Sequence, residues 1–134
     1  MVAKVPIAVA ALVRDGLVLL VHRHPSRGWY PDCWDLAGGH VESDESPREA
    51  VIRECLEELG VHVHDLVPIP MTVGDPTLDV HAFLVTRWEG EPVNVAPEEH
   101  DDLRWFRPDD LAELKLAHPA SRPSLLGAIL LVSE

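Results

Sequence analysis

The chain has 134 residues, 46% of them hydrophobic, which suits one buried core and is short for two ordinary domains. Eleven Lys and Arg against 23 Asp and Glu leave a formal charge of −12. That balance argues against a surface built to grip a nucleic acid polymer or an anionic membrane, and a phosphate-bearing ligand would need positive charge from elsewhere.

Lys4 precedes "VPIAVAALV", whose apolar run before Ala8-Val9-Ala10 falls short of the roughly 7 to 15 residues of a signal-peptide core, so we read it as a strand. "IAVAALV" and "LVLLVHRH" flank Asp15-Gly16, the short-range signal for a hairpin with a type I′ turn. Residues 25 to 33 hold two prolines, a glycine and "WYPD", a loop by composition, and "WDL" leads into Ala37-Gly38-Gly39. Ser46-Pro47-Arg48-Glu49 reads as a capping box with proline at the first helical position, and Gly60 is the stop, so a helix is expected over roughly 47 to 59 with Val51, Cys55 and Leu59 facing inward. "VHVHDLVPIP" reads as a strand interrupted by prolines, "TLDVHAFLVTRW" as a stronger strand and "DDLRWF" as a short one. "PDDLAEL" predicts a helical turn, and Ser121 to Val132 a C-terminal helix. Strands interspersed with two helices predict one α/β sandwich domain over 1–134 with a mixed sheet. Cys33 and Cys55 form neither a C-x-x-C pair nor a secreted disulfide framework, and no apolar run reaches the ~20 residues of a membrane span, so we expect a cytoplasmic protein.

The anomaly is the end of the first helix. Glu54, Glu57 and Glu58 crowd neighbouring positions just ahead of Gly60, where like charges at this spacing and the helix dipole each cost roughly 0.2–0.5 kcal/mol. Arg53 reaches Glu57 at i+4 in the less favourable order and cannot neutralise three acids. A bare E-x-x-E-E is ordinarily a solvated acidic face; a divalent cation is the alternative, because Mg²⁺ takes hard oxygen ligands and bridges carboxylates to phosphates.

The wider spacing decides between them. Gly39, five residues, Glu45, seven residues, Arg53-Glu54, an apolar position held by Cys55, Leu56, Glu57-Glu58, Leu59, Gly60 and Val61 resembles, without a gap, the 23-residue signature of the Nudix hydrolases. Seven fixed residues would coincide by chance roughly once in 10⁸ windows. The resemblance implies an α/β/α sandwich with a loop-helix-loop motif and hydrolysis of a nucleoside diphosphate linked to X, with Mg²⁺ or Mn²⁺ and a water nucleophile. It makes Glu54, Glu57 and Glu58 the metal ligands, with the Gly38 carbonyl and a loop acid, Glu98 ahead of Glu99. Glu54, then Glu57, would take the proton from water. Arg53 would orient the acids, with Gly39, Glu45 and Gly60 as support.

"LLVHRH" and "CWDLAGGHVE" resemble the MutT-like branch, in which an arginine at the place of Arg23 contacts phosphate. Ala37 stands where the family usually has proline. Among Trp29, Tyr30, Trp34, Phe83, Trp88 and Trp105, Trp34 and Phe83 are the candidates to stack on a base, although aromatics near strands are usually core. The eight histidines show no competing ligand spacing. The expected substrate is a nucleoside triphosphate, ordinary or oxidised, cleaved to monophosphate and pyrophosphate. The alternatives are ADP-ribose, a nucleotide sugar, a dinucleoside polyphosphate, or nucleotide sensing without cleavage. The protein is expected as a monomer or homodimer.

Overall fold

The computed structural model describes residues 3–132. In chain order the strands are β1 (Val5–Arg14), β2 (Leu17–Arg23), β3 (Trp34–Asp35) and β4 (Ala37–His40), followed by helix α1 (Pro47–Leu59). Then come β5 (His62–His64), β6 (Val67–Ile69), β7 (Leu78–Val85), β8 (Arg87–Glu89) and β9 (His100–Phe106). Two 3₁₀ turns, Pro108–Glu113 and Pro119–Ser121, lead to α2 (Arg122–Val132).

The β1–β2 turn has φ of 54° at Asp15 and 76° at Gly16, the two positive values a type I′ turn needs. The two expected strands that differ do so for local reasons. "VHVHDLVPIP" divides at Asp65, φ 52°, into β5 and β6, and proline is tolerated in β6 because that strand ends the sheet. "TLDVHAFLVTRW" divides after Val85, sending β7 to the large sheet and β8 to a separate two-stranded sheet with β5.

Strand β1 is the spine of a mixed sheet. It runs parallel to β7 from Val5↔Leu78 to Leu12↔Val85, while its other edge pairs antiparallel first with β4 and then, at Val13 and Arg14, with β2. β2 also pairs with β3 and β9. Alternation along β1 divides the core in two: Ala8, Ala10 and Leu12 pack with α1 residues Val51, Cys55 and Leu59, whereas Val9, Ala11 and Val13 pack with α2 residues Leu125, Ala128 and Ile129. The result is an α/β/α sandwich. No helix among the described residues is long and apolar enough to cross a membrane.

Candidate functional site

Helix α1 starts as a capping box: Glu49 N donates to Ser46 Oγ (3.2 Å) and Ser46 N donates to Glu49 Oε1 (2.9 Å). It buries Ala50, Val51, Cys55 and Leu59 and packs against β4, and this orientation carries the acidic positions toward the glycine pair. The Cys55 thiol is pushed up to about 12 by burial and stays a small apolar side chain.

Arg53 holds this end of the molecule together. Its Nε and Nη2 donate to Glu45 (3.1 and 2.6 Å), Nη1 to Glu54 (2.9 Å) and Glu57 (3.2 Å), and Nη2 also to the His40 carbonyl (3.0 Å). A planar fork is the side chain that can serve so many acceptors at once. Glu45 raises the Arg53 pKa most, against the opposing effect of burial, and Arg53 together with the Glu42 amide lowers that of Glu45.

Glu58 is the opposite case. It is 2% exposed, and neither carboxylate oxygen makes a hydrogen bond of normal geometry, although the Glu54 side chain and the Gly38 backbone lie near enough to act on it. Burial pushes its carboxyl well above the ordinary value; Glu54 and Glu99 push the same way and the Gly38 backbone pulls partly back. His100 Nε2 lies 3.4 Å from Glu58 Oε1, and burial, with Arg27 and Arg23, lowers this imidazole to about 4, so it faces the acid as a neutral ring.

Close approach of the backbone requires glycine at Gly38, and Gly39 lies tight against a side chain. A Cβ on Gly38 would lie 2.1 Å from the Ala8 carbonyl oxygen, and Gly38 has φ +151°. A Cβ on Gly39 would lie 2.7 Å from Glu54 Oε1, so the carboxylate sits directly behind this residue. Ala37, in place of proline, is buried and pairs with Ala10 in the β1–β4 ladder.

A cleft of about 350 Å³ opens along Gly38, Gly39 and His40, walled by Arg23, Arg27, Trp29, Tyr30, Asp35 and His118. Arg23 and Arg27 thus bring positive charge to the cleft in a strongly acidic chain. Arg23 is not a free hook, however. Its Nε donates to the Trp29 and Tyr30 carbonyls (3.0 and 2.9 Å) and its Nη2 to Trp29 (2.6 Å), while Nη1 faces Asp35 at 3.8 Å. Burial, then Arg27, lowers its pKa.

The expected positions separate into those the fold gathers and those it scatters. Arg53, Glu54, Glu57 and Glu45 form one hydrogen-bonded cluster, with Gly39 against Glu54, and Gly60 closes the helix in the left-handed conformation with its N–H on the Leu56 carbonyl. No three His, Cys, Asp or Glu side chains among the described residues converge on one point, because Arg53 draws Glu54 and Glu57 to itself while Glu58 stays buried. Trp34 lines a small cavity of about 40 Å³ that shares Asp35, Leu36 and His118 with the cleft. Phe83 does not line the cleft: paired with Ala10, it faces the α1 core at 6% exposure under the Arg48 guanidinium. Trp88 and Trp105 stack on each other, with Arg14 over Trp105 at 4.4 Å, and do not line it either. Of the two loop acids, Glu98 is exposed, while Glu99 is half-buried and its charge reaches Glu58. The sequence alone points to none of His100, Asp35 and His118, and to Tyr30 only as one of six aromatics. For His100 the signal was its place directly after the loop acids.

Residues 4–126 match the family model of the NUDIX domain. The chain is 33% identical over 124 residues to a CTP pyrophosphohydrolase of Escherichia coli, covering 90% of this chain and 88% of the relative. It is 31% identical over 126 residues to the nucleoside triphosphatase NudI of Escherichia coli, covering 83% and 86%. The structure resembles a crystal structure of a MutT NUDIX hydrolase from Burkholderia pseudomallei with a TM-score of 0.80 at 34% identity, covering 91% of this chain and 95% of that one.

Proposed function

The chain belongs to the Nudix hydrolase family, whose members act on phosphoanhydride bonds, and from that premise we propose a single-domain, cytoplasmic, metal-dependent pyrophosphohydrolase that cleaves a nucleoside triphosphate, ordinary or oxidised, to monophosphate and pyrophosphate. The observation that carries the reading is the Arg53-clamped carboxylate cluster, with buried Glu58 beside it, backing through Gly39 onto a cleft that holds Arg23 and Arg27. The similarity to a CTP pyrophosphohydrolase and to a nucleoside triphosphatase over most of their lengths supports a triphosphate over the other X groups.

The residues fit Mg²⁺ or Mn²⁺. Every candidate donor is a hard oxygen, and the two buried oxygens of Glu58 lack the hydrogen bonds that such a group ordinarily finds. Glu54, Glu57, Glu58, the Gly38 carbonyl and an acid of the 98–99 loop, the exposed Glu98 or the half-buried Glu99, would hold the ion. Bound there, the ion would neutralise the diphosphate and acidify water. Arg53 keeps Glu54 Oε1 occupied, which leaves Glu54 Oε2 to take a proton as water adds to phosphorus and the bridging P–O bond breaks. Glu57 is the second candidate for that proton.

The test is a Mg²⁺- and Mn²⁺-dependent hydrolysis screen of nucleoside triphosphates, ADP-ribose, nucleotide sugars and dinucleoside tetraphosphates, with products separated by chromatography. Glu58→Gln should lose more than about 100-fold in turnover, the equivalent of several kcal/mol of charge stabilisation. It should also lose the rise in melting temperature that Mg²⁺ gives the native protein, while melting little lower without metal because the carboxyl oxygens it replaces are already poorly paired. A Glu58→Gln protein still stabilised by Mg²⁺ would refute the ligand assignment.

A further inference from the structure

His100 opens β9 at 4% exposure, and the chain around it is tied to the residue its ring meets. Its carbonyl accepts from Asn94 Nδ2 (2.7 Å) and its N–H donates to the Ala96 carbonyl (3.0 Å). On either side of Asn94, Val95 N donates to the Glu58 carbonyl (2.9 Å) and Val93 N to the Leu59 carbonyl (3.0 Å). The circuit closes through the side chains, where His100 Nε2 lies 3.4 Å from Glu58 Oε1. Hydrogen bonds of the 93–96 segment thus fasten the end of α1 to the start of β9, and they set the imidazole against the carboxylate.

The tautomer follows from what each ring nitrogen faces. A neutral imidazole carries one N–H and one acceptor lone pair. His100 Nδ1 is buried and has no hydrogen-bond partner among the described residues. A proton there would be an orphaned donor, and the bare Nε2 would oppose the lone pairs of the carboxylate. A proton on Nε2 meets an acceptor instead. We infer that His100 is a positioning residue for Glu58: its Nε2–H holds Oε1, which leaves Oε2 as the oxygen that takes the divalent ion. The contact is longer than an ordinary N–H···O bond of about 2.7–3.2 Å, and hydrogen bonds in active sites commonly tighten only with the ligand in place. The inference rests on the metal reading above and adds to it a residue that acts on the ion only through Glu58.

Binding of Mn²⁺ alone, read by electron spin resonance without nucleotide or turnover, tests it. Glutamine can place an amide N–H where Nε2 stands, asparagine is too short to do so, and phenylalanine keeps a ring without a donor. His100→Asn and His100→Phe should weaken Mn²⁺ binding by about 10- to 100-fold, and His100→Gln should recover most of that loss. Equal loss in all three variants would reduce His100 to packing, and native affinity in a folded His100→Phe protein would remove it from the site. Either result overturns the inference and leaves the metal reading in place, as does a fall in kcat with Mn²⁺ affinity unchanged, which would put the ring in the chemistry itself. A native protein that binds no Mn²⁺ overturns both. Should the variants fail to fold, ¹⁵N NMR of the Mg²⁺-loaded native protein still decides: His100 should carry its proton on Nε2, and a proton on Nδ1 alone overturns the assignment.

Discussion

Arg53 and Arg23 are the two arginines the sequence marks for electrostatic work, and the fold uses them in contrasting ways. Arg53 spends its fork mainly on carboxylates, Glu45, Glu54 and Glu57, and the first two raise its pKa. Arg23 spends its fork on the neutral carbonyls of Trp29 and Tyr30, and burial lowers its pKa. The first arrangement cancels charge and fixes the direction of acids. The second leaves a positive charge incompletely cancelled at the wall of the cleft while it ties down the loop that forms that wall. A cation among anions sets geometry; a cation among dipoles keeps its field.

Lysine substitution separates the two roles, since it keeps the charge and removes the fork. Arg53→Lys should lower kcat by about 10- to 100-fold with little change in KM, the range typical when a group that orients metal-ligating side chains is lost. One ammonium cannot serve Glu45, Glu54, Glu57 and the His40 carbonyl together. Steady-state kinetics beside a melting curve checks this, and a variant with native kcat would reduce Arg53 to a charge balance. Arg23→Lys should act more weakly and on the other parameter. KM should rise by less than about tenfold, a loss near one ordinary hydrogen bond, and residues 25–33 should become easier to cut in limited proteolysis. A fall in kcat with KM unchanged would place Arg23 in the chemistry rather than in the wall.

The same contrast explains what could be read from the sequence. The Arg53 region was legible because it is local: Gly39 through Gly60 is one loop and one helix, whose cap signals and charge anomaly lie within a single window. The sandwich was legible from alternation and turn chemistry for a similar reason. The cleft was not, because its walls come from distant segments, the 24–33 loop, the start of β7 at Leu78 and the turn at His118. Phe83 shows the difficulty at one residue. It lies on a strand beside the site, but only the register Ala10↔Phe83 decides that it faces α1 rather than the side where Ile7 and Val9 meet the cleft, and a shift of one residue would reverse it. The loop acids differ in the same way, since exposure at Glu98 and half-burial at Glu99 follow from how the 96–99 turn sits.

The smallest effect concerns how the Arg23-tied loop is fastened at its far end. Tyr30 is the only tyrosine in the chain, and its hydroxyl donates to Asp75 in the β6–β7 loop. That bond, with burial and the nearby negative charge, holds the phenol up to about 12 from 10.0. Asp75 is held down to about 2 from 3.8 by the Thr77 hydroxyl, then by Tyr30 and the Thr77 amide. The signs differ. Because the Tyr30 value is raised on folding, its contribution is complete below pH 10 and is lost as pH climbs toward 12. Because the Asp75 value is depressed, its contribution is complete above 3.8 and is lost as pH falls toward 2. Hydrogen exchange of residues 24–33 should therefore be slowest relative to intrinsic rates between those limits. Tyr30→Phe should remove the alkaline limb and keep most of the acid limb, since Thr77 still holds Asp75. With one tyrosine, the ultraviolet absorbance of tyrosinate titrates this contact directly, and Asp75→Asn should bring the phenol back toward 10.0. An unshifted phenol in the native protein would mean that Asp75 does not fasten the loop, leaving it to Arg23, to Arg27 on the Glu99 carbonyl and to the backbone bonds of Arg23 with Cys33 and Asp32.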